Sequence, residues 1–123
     1  MWDVEFDLII DWLDQQDAET IAGIDDAVTL LEREGPNLGR PLVDTIRESR
    51  LNNLKELRPS SPGRSEVRIL FAFDPDRHAI FLVAGDKARG KNGHAKWNGW
   101  YRKAIPAAER IYRSYLQRKE GSQ

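Results

Sequence analysis

The 123-residue chain contains no cysteine, only two histidines, and no apolar run as long as 18 residues. Without cysteine there is no disulfide bond, no thiolate nucleophile and no cysteine-based zinc site. Because a membrane-spanning helix needs about 20 mostly apolar residues, the sequence predicts no such helix. The acidic start, MWDVEFDLII, also differs from a secretory signal, which begins with basic residues. We therefore expect one compact domain over residues 1–123 and a cytoplasmic location.

The formal net charge of -1 conceals a difference between the two parts of the chain. Residues 1–50 contain 13 acidic and 4 basic residues, a net charge of -9. Residues 51–123 contain 15 basic and 7 acidic residues, a net charge of +8. This asymmetry favours a molecule with one face suited to a polyanion, and pairing of the charges within one fold is the simpler alternative.

Hydrophobic periodicity predicts a strand and two helices near the start of the chain. Apolar and acidic residues alternate over residues 2–7, a period of two that is typical of a half-buried strand. Helical spacing follows over residues 9–13. A second helix should begin after Asp17, a suitable N-cap, and end at Gly35. Residues 36–50 contain two prolines and no clear period, so we expect a loop with at most one helical turn.

Three strands are predicted next, over residues 53–58, 65–73 and 78–85, joined by short turns. As an antiparallel meander they would form the centre of a sheet, with the N-terminal strand at an edge. An apolar stripe at helical spacing covers residues 97–116. Pro106 should interrupt it with a kink or a break, between a short helix and a longer helix that begins at Pro106. The expected fold is α+β, with an antiparallel sheet of about four strands, two N-terminal helices and a C-terminal helix.

The segment 54–70, LKELRPSSPGRSEVRIL, places several cations in and beside two of these strands. Because alternate residues of a strand share a face, Glu56 and Arg58 should lie together, and so should Glu66 and Arg68. The two pairs can meet across the turn, on a sheet face that the helices are expected to leave open. A cross-strand salt-bridge ladder is the alternative, and an exposed pair in it would contribute at most about 1 kcal/mol.

Such a group of cations is suited to chemistry on a phosphodiester. Metal-free cleavage of RNA needs a base for the 2′-hydroxyl, stabilisation of charge on the phosphorane, and a proton donor for the leaving oxygen. Arginine provides paired donors to phosphate, whereas lysine acts as a base only where its neighbours lower its pKa. Lys87, at the exit of the central strand, would add a third cation.

Other candidate sites are less distinct. His78 and His94 have no acidic partner at ligand spacing, so neither a metal nor another cofactor is expected. His94 is interpreted as a loop residue, with proton transfer as the alternative. Trp97, Trp100 and Tyr101 are expected to pack the core, with stacking on a base as the alternative.

Four motifs in the second part of the chain occur in one order: Glu56-Leu57-Arg58, a strand from Arg68 to Pro75, a strand from Ile80 to Lys87, and a helix from Ala107 to Leu116. In this order and spacing they resemble RelE/HigB-type toxins of bacterial type II toxin–antitoxin systems. The resemblance is strongest to the phage-derived, HigB-like branch. It extends over nearly the whole chain, from the first strand to Leu116.

The resemblance implies a RelE-like fold and a metal-independent endoribonuclease that cleaves messenger RNA, usually in the ribosomal A site. It also implies a cognate antitoxin, expected to be of helix-turn-helix type, that masks the basic surface. Operator DNA would be bound only through the toxin–antitoxin complex, and no membrane is expected as a partner.

By position, Arg58, Arg68 and Lys87 match the family's basic active-site residues, and Lys55 is a fourth candidate. The further cations around them are candidates for RNA binding: Arg64, Arg89, Lys91, His94 and Lys96. Two other functions remain open. ParE-type toxins share this architecture and inhibit DNA gyrase through protein contacts, and the chain would otherwise be a pure protein-interaction module.

Overall fold

The computed structural model describes residues 1–63, 65–87 and 93–121, except for the side chains of residues 93–98. Within these residues, five strands and three α-helices form an α+β fold, which confirms the predicted class. Short 3₁₀ helices precede α1 and follow α2. The elements in chain order are β1 (Asp3–Glu5), α1 (Ile10–Leu13), α2 (Ala18–Glu34), β2 (Val43–Thr45), β3 (Leu54–Leu57), β4 (Val67–Phe73), β5 (His78–Asp86) and α3 (Gly93–Gly121).

The strand order in the sheet is β1-β5-β4-β3-β2. Strands β3, β4 and β5 form the predicted antiparallel meander. Strand β1 lies at an edge, as predicted, but it runs parallel to β5, so the sheet is mixed. Strand β2 adds a fifth strand inside residues 36–50, where only a loop was expected. This strand is three residues long and is held by backbone pairing with β3, so it leaves no period in the sequence.

Helix α2 begins and ends where the sequence predicts. The Asp17 carboxylate accepts a hydrogen bond from the N–H of Thr20 at 2.7 Å, which satisfies a free donor of the first turn. At the other end Gly35 adopts a φ of 55°, a conformation that glycine tolerates and that ends the helix. Ile24 and Leu31, at helical spacing, are buried against the sheet.

Helix α3 is a single helix of 29 residues, and Pro106 lies inside it. A break at Pro106, one of the two forms expected, is therefore wrong, and no new helix begins there. Proline removes one helical N–H, but Ala104 and Ala108, on either side of it, are both buried against the same sheet face. Packing over the whole length of α3 keeps the helix continuous. In the described part of the chain, every helix is too short or too polar to cross a lipid bilayer.

Each face of the sheet carries an apolar core. The α2-side core includes Ile24, Leu31, Leu57, Ile69, Phe71 and Phe81. The α3-side core includes Leu54, Leu70, Ala72, Ile80, Leu82, Ala104, Ala108 and Tyr112. The expectation that helices leave one sheet face open is therefore wrong. Leu70 and Ala72 share a face with Arg68, and both are fully buried beneath α3.

A buried carboxylate fastens the C-terminal end of α3 to the turn between β4 and β5. The Asp74 side chain is 0% exposed and accepts hydrogen bonds from Lys119 Nζ at 2.9 Å and from the Tyr115 hydroxyl at 3.1 Å. The backbone N–H groups of Asp76 and His78 also donate to it. Burial by itself would raise the pKa of Asp74, but the hydrogen bonds from Lys119, His78 and Tyr115 lower it to about 2.

Candidate active site

The antiparallel meander brings the ends of three strands to the same edge of the sheet. Strand β3 ends there, β4 begins there and β5 ends there. Arg58 follows β3, Arg68 is the second residue of β4, and Lys87 follows β5. The sequence-predicted residues Arg58, Arg68 and Lys87 therefore lie at the same edge of the sheet, next to Tyr101 of α3. We call this group, together with Glu56 and Tyr101, the cation cluster.

The Glu56 carboxylate is the centre of the cation cluster, and its side chain is only 1% exposed. Its Oε1 accepts hydrogen bonds from Arg58 Nε at 3.1 Å and from the Tyr101 hydroxyl at 2.8 Å. Arg68 Nε lies 3.1 Å from the same oxygen. A buried carboxylate is unfavourable unless opposite charges and donors surround it, so Glu56 and its cations hold one another in place.

The Arg68 side chain is 14% exposed and packs closely against its own strand. Its Nη1 donates to the carbonyl oxygen of Val67 at 2.8 Å, and its Nη2 lies 3.9 Å from Glu66. The Nε–H does not point at Glu56, and this buried nitrogen has no hydrogen-bond acceptor among the described residues. The contact with Glu56 is thus an ion pair without a hydrogen bond, and Arg68 keeps an unused donor.

Arg58 is the more accessible arginine, with a side chain that is 34% exposed. Its Nη2 donates to Asp44 Oδ2 at 3.2 Å, and the same oxygen lies 3.2 Å from Arg40. The hydrogen bonds from Arg40 and from the N–H of Thr45 lower the pKa of Asp44. Burial is the largest influence on Arg58 and lowers its pKa, but the hydrogen bond to Glu56 and the negative charges of Glu56 and Asp44 together outweigh burial, so the pKa of Arg58 is raised. Arg58 therefore stays cationic between two carboxylates.

Lys87 and Tyr101 form the other side of the cluster. Lys87 Nζ lies 3.5 Å from the Tyr101 hydroxyl and 5.5 Å from the centre of its ring. Burial lowers the pKa of Lys87, and the charge of Arg68 lowers it further. Burial raises the pKa of Tyr101, and the negative charge of Glu56 acts in the same direction. Lys87 therefore loses its proton more readily than an ordinary lysine, whereas Tyr101 keeps its proton.

Tyr101 is a site residue that the sequence did not indicate. It was expected to pack the core, and its ring does pack against Trp100 and the α3-side core. Its hydroxyl, however, reaches Glu56, which is 45 residues away along the chain. No spacing rule predicts such a contact. The one available signal was a tyrosine, whose polar tip needs a partner, on the apolar stripe of a helix.

Lys55 does not join the cation cluster. It pairs with Phe71 across the sheet, and Phe71 belongs to the α2-side core, so alternation places Lys55 on the opposite face from Glu56. Lys55 Nζ donates instead to the hydroxyl of Thr45 at 2.9 Å. The sheet thus separates this candidate from the other three.

The side chains of all five residues predicted to bind RNA lie outside the described part of the structure. Arg64, Arg89 and Lys91 lie outside the described residues. His94 and Lys96 belong to α3, but their side chains lie outside the description as well. Within the part of the chain that is described, no three His, Asp or Glu side chains are grouped as metal ligands.

Residues 11–113 match the family model "Phage derived protein Gp49-like (DUF891)". The chain therefore belongs to this phage-derived, Gp49-like family, in agreement with the phage-derived branch that the order of its motifs predicted.

Two curated relatives from Mycobacterium tuberculosis (strain ATCC 25618 / H37Rv) are similar over most of this chain. The chain is 50% identical over 119 residues to "Putative toxin HigB2", a match that covers 97% of this chain and 56% of that protein. It is 42% identical over 110 residues to "Putative toxin HigB3", and here the match covers 89% of each. This chain thus spans about half the length of the first relative and most of the second.

Proposed function

We propose that this chain is the toxin of a type II toxin–antitoxin system and cleaves messenger RNA as a metal-independent endoribonuclease at the ribosome. One observation carries the proposal: Arg58, Arg68 and Lys87 converge around a single buried carboxylate, that of Glu56. Within the cation cluster three cations surround one carboxylate, an arrangement that suits a phosphodiester, and that carboxylate keeps the arginines in fixed positions.

Each residue of the cluster has a chemical role in this proposal. Arg58, the more accessible arginine, binds the phosphate. Arg68, which is more deeply buried, stabilises the negative charge of the phosphorane. Lys87, with its lowered pKa, removes the proton of the 2′-hydroxyl. The 2′-oxygen attacks the phosphorus, the bond from phosphorus to the 5′-oxygen breaks to leave a 2′,3′-cyclic phosphate, and the 5′-oxygen takes a proton from solvent. Tyr101, which keeps its proton, holds the Lys87 amine in place and supports Glu56.

The names of the two relatives support the toxin part of the proposal. A toxin of this kind requires a cognate antitoxin, and we propose that it is of helix-turn-helix type and covers the cation cluster. The complex of the two proteins would be the species that binds operator DNA. Expression of the chain alone should then arrest growth, and co-expression of the antitoxin should restore it.

The direct test is cleavage of a defined messenger RNA in a reconstituted translation reaction with the purified chain. We expect cuts within the translated region, no requirement for an added transition metal, and loss of cutting in Arg58→Ala and Lys87→Ala. Arg33→Ala is the matched control, because Arg33 is exposed on α2 and contacts only Glu34 in the described structure. Free RNA without ribosomes, tested in parallel, shows whether the ribosome is required.

The alternatives give different results in the same laboratory system. If messenger RNA stays intact and gyrase-dependent DNA breaks appear, the chain is a ParE-like gyrase inhibitor rather than a nuclease. Intact RNA and intact DNA, with normal growth at high expression, would leave only a protein-interaction module.

A further inference from the structure

A cleft of about 400 Å³ opens beside the cation cluster, on the β2 side. Its lining consists of Glu56, Arg58 and Tyr101 from the cation cluster, together with Arg40 and residues 44–48. A volume of this size lies near the lower end of the range for small-molecule sites, roughly 300–1,000 Å³. It therefore suits one compact group, and that group would contact the cation cluster directly.

The charges that line the cleft balance. Its cations are three arginines, Arg40, Arg47 and Arg58, and its anions are three carboxylates, Asp44, Glu48 and Glu56. The lining does not include Arg68 or Lys87, which give the neighbouring cluster its excess positive charge. A balanced lining favours an uncharged group with both hydrogen-bond donors and acceptors, rather than a phosphate.

Two of the lining side chains are not committed to other contacts. Asp44 pairs with Arg40 and Arg58, and Glu56 holds the cation cluster. Arg47 and Glu48 are exposed, and in the described part of the chain neither side chain forms an ion pair or a hydrogen bond. The cleft thus offers one free guanidinium group, which donates, and one free carboxylate, which accepts.

We propose that this cleft binds the base of the nucleotide next to the cleaved phosphodiester, and that the base is guanine. Guanine presents the N1–H and N2 amino donors, which match the Glu48 carboxylate, and the O6 and N7 acceptors, which match Arg47. Proteins read single-stranded RNA in this way, by hydrogen bonds to the edges of unstacked bases. The inference rests on the proposed nuclease function and adds the determinant of cleavage-site preference.

The experiment maps the bases that flank each cut, by sequencing the RNA ends that the chain and its variants produce. We expect guanine to be enriched at one fixed position beside the cut, and Glu48→Ala and Arg47→Ala to reduce the enrichment by about tenfold, the discrimination that one bidentate base contact provides. Glu120→Gln and Arg33→Ala, at exposed positions away from the cleft, should keep the enrichment of the natural chain.

An unchanged base distribution in Glu48→Ala and Arg47→Ala, or the absence of guanine enrichment in the natural chain, would overturn the inference.

A second measurement, of nucleotide binding, distinguishes failure of this inference from failure of the nuclease proposal. Binding of the four nucleoside monophosphates to the natural chain should favour guanosine monophosphate, and Glu48→Ala should lose that preference. If RNA stays uncut but guanosine monophosphate is preferred, only the nuclease proposal fails. If RNA stays uncut and no nucleotide is preferred, both fail.

Discussion

Arg68 Nε lies 3.1 Å from Glu56 Oε1, where the two side chains are 14% and 1% exposed. The pair is a cross-strand ion pair, as the ladder alternative required, but it is buried rather than exposed at the surface. Removal of one partner of a buried pair leaves an incompletely compensated charge, which is more unfavourable than loss of a surface pair. The small contribution expected for an exposed pair therefore does not apply to Arg68.

We predict that Arg68→Ala lowers both stability and activity. The free energy of unfolding should fall by about 2 kcal/mol, because Glu56 keeps Arg58 and Tyr101 but loses one cation. Cleavage should slow by about a hundredfold, as expected when a fixed donor to the transition state is removed. Urea denaturation and the rate of RNA cleavage measure the two effects.

Arg68→Lys and Arg33→Ala complete this test. Arg68→Lys keeps the charge but loses the forked geometry, so it should recover part of the stability and little of the activity. Arg33→Ala, on the surface of α2, should change the free energy of unfolding by no more than about 0.5 kcal/mol. A stable and fully active Arg68→Ala protein would show that Arg68 does not belong to the active site.

Tyr101→Phe should weaken the same cluster from the helix side. The substitution removes the hydroxyl that donates to Glu56 at 2.8 Å, which should lower the free energy of unfolding by about 1–2 kcal/mol. Cleavage should slow by roughly tenfold, because the Lys87 amine loses the hydroxyl group that holds it in place. Since the pKa of Tyr101 is raised, its ultraviolet titration should lie above that of free tyrosine.

Tyr112→Phe is the matched control for this substitution. The Tyr112 hydroxyl donates to the carbonyl oxygen of Phe73 at 3.3 Å, away from the cation cluster. We expect a comparable loss of stability and no loss of cleavage. Equal slowing by both variants would mean that Tyr101 acts through folding alone.

Asp74 should make the protein sensitive to acid. Its pKa is about 2 in the folded chain, against about 3.9 for an unfolded aspartate. A carboxyl group with a lowered pKa stabilises the fold above the unfolded value, and that contribution disappears as the pH falls towards the folded value. Between about pH 5 and pH 2, the natural chain should therefore lose about 2 kcal/mol more stability than Asp74→Asn does.

The measurement is urea denaturation across this pH range for the natural chain, Asp74→Asn and Asp26→Asn. Asp26 is exposed on α2, so its variant should follow the natural chain. Parallel acid profiles for Asp74→Asn and the natural chain would contradict the assignment.

Gly85 should resist substitution because Trp100 packs directly over it. A methyl group at Gly85 would collide with Trp100 Nε1. The indole would have to move, and the adjacent Tyr101 would move with it. We therefore expect Gly85→Ala to lower the free energy of unfolding by about 1–3 kcal/mol and to slow cleavage.

Gly99→Ala is the control, since no described atom lies near its added carbon. In a helix, that change should stabilise the chain slightly. A Gly85→Ala protein as stable as Gly99→Ala would contradict this packing.

The elements that depend on local signals were predictable from the sequence. The limits of α2 follow from the Asp17 cap and from Gly35, which act within one turn of helix. The central strands follow from the alternation of residues 65–73 and the apolar run of 78–85. Three members of the cation cluster, Arg58, Arg68 and Lys87, were identified by family resemblance, and the meander explains why they meet.

The features that depend on distant contacts were not predictable in this way. Strand β2 forms because β3 offers a free edge, and α3 stays continuous through Pro106 because the sheet supports it. The expected open face failed for a reason that was present in the sequence. Leu70 and Ala72 follow Arg68 at every second position, so all three side chains lie on the same face of the sheet. Two apolar side chains on that face predict that a helix packs over them, as α3 does.

Helices α2 and α3 lie on opposite faces of the sheet, and their net charges have opposite signs. Residues 18–34 carry five acidic and one basic residue, whereas residues 93–121 carry seven basic and two acidic residues. The molecule is therefore an electric dipole whose axis crosses the sheet. In the field of a polyanion such a dipole experiences a torque that turns its α3 side forward before any atoms touch. Productive orientation at first encounter should accordingly fall as added salt screens that field.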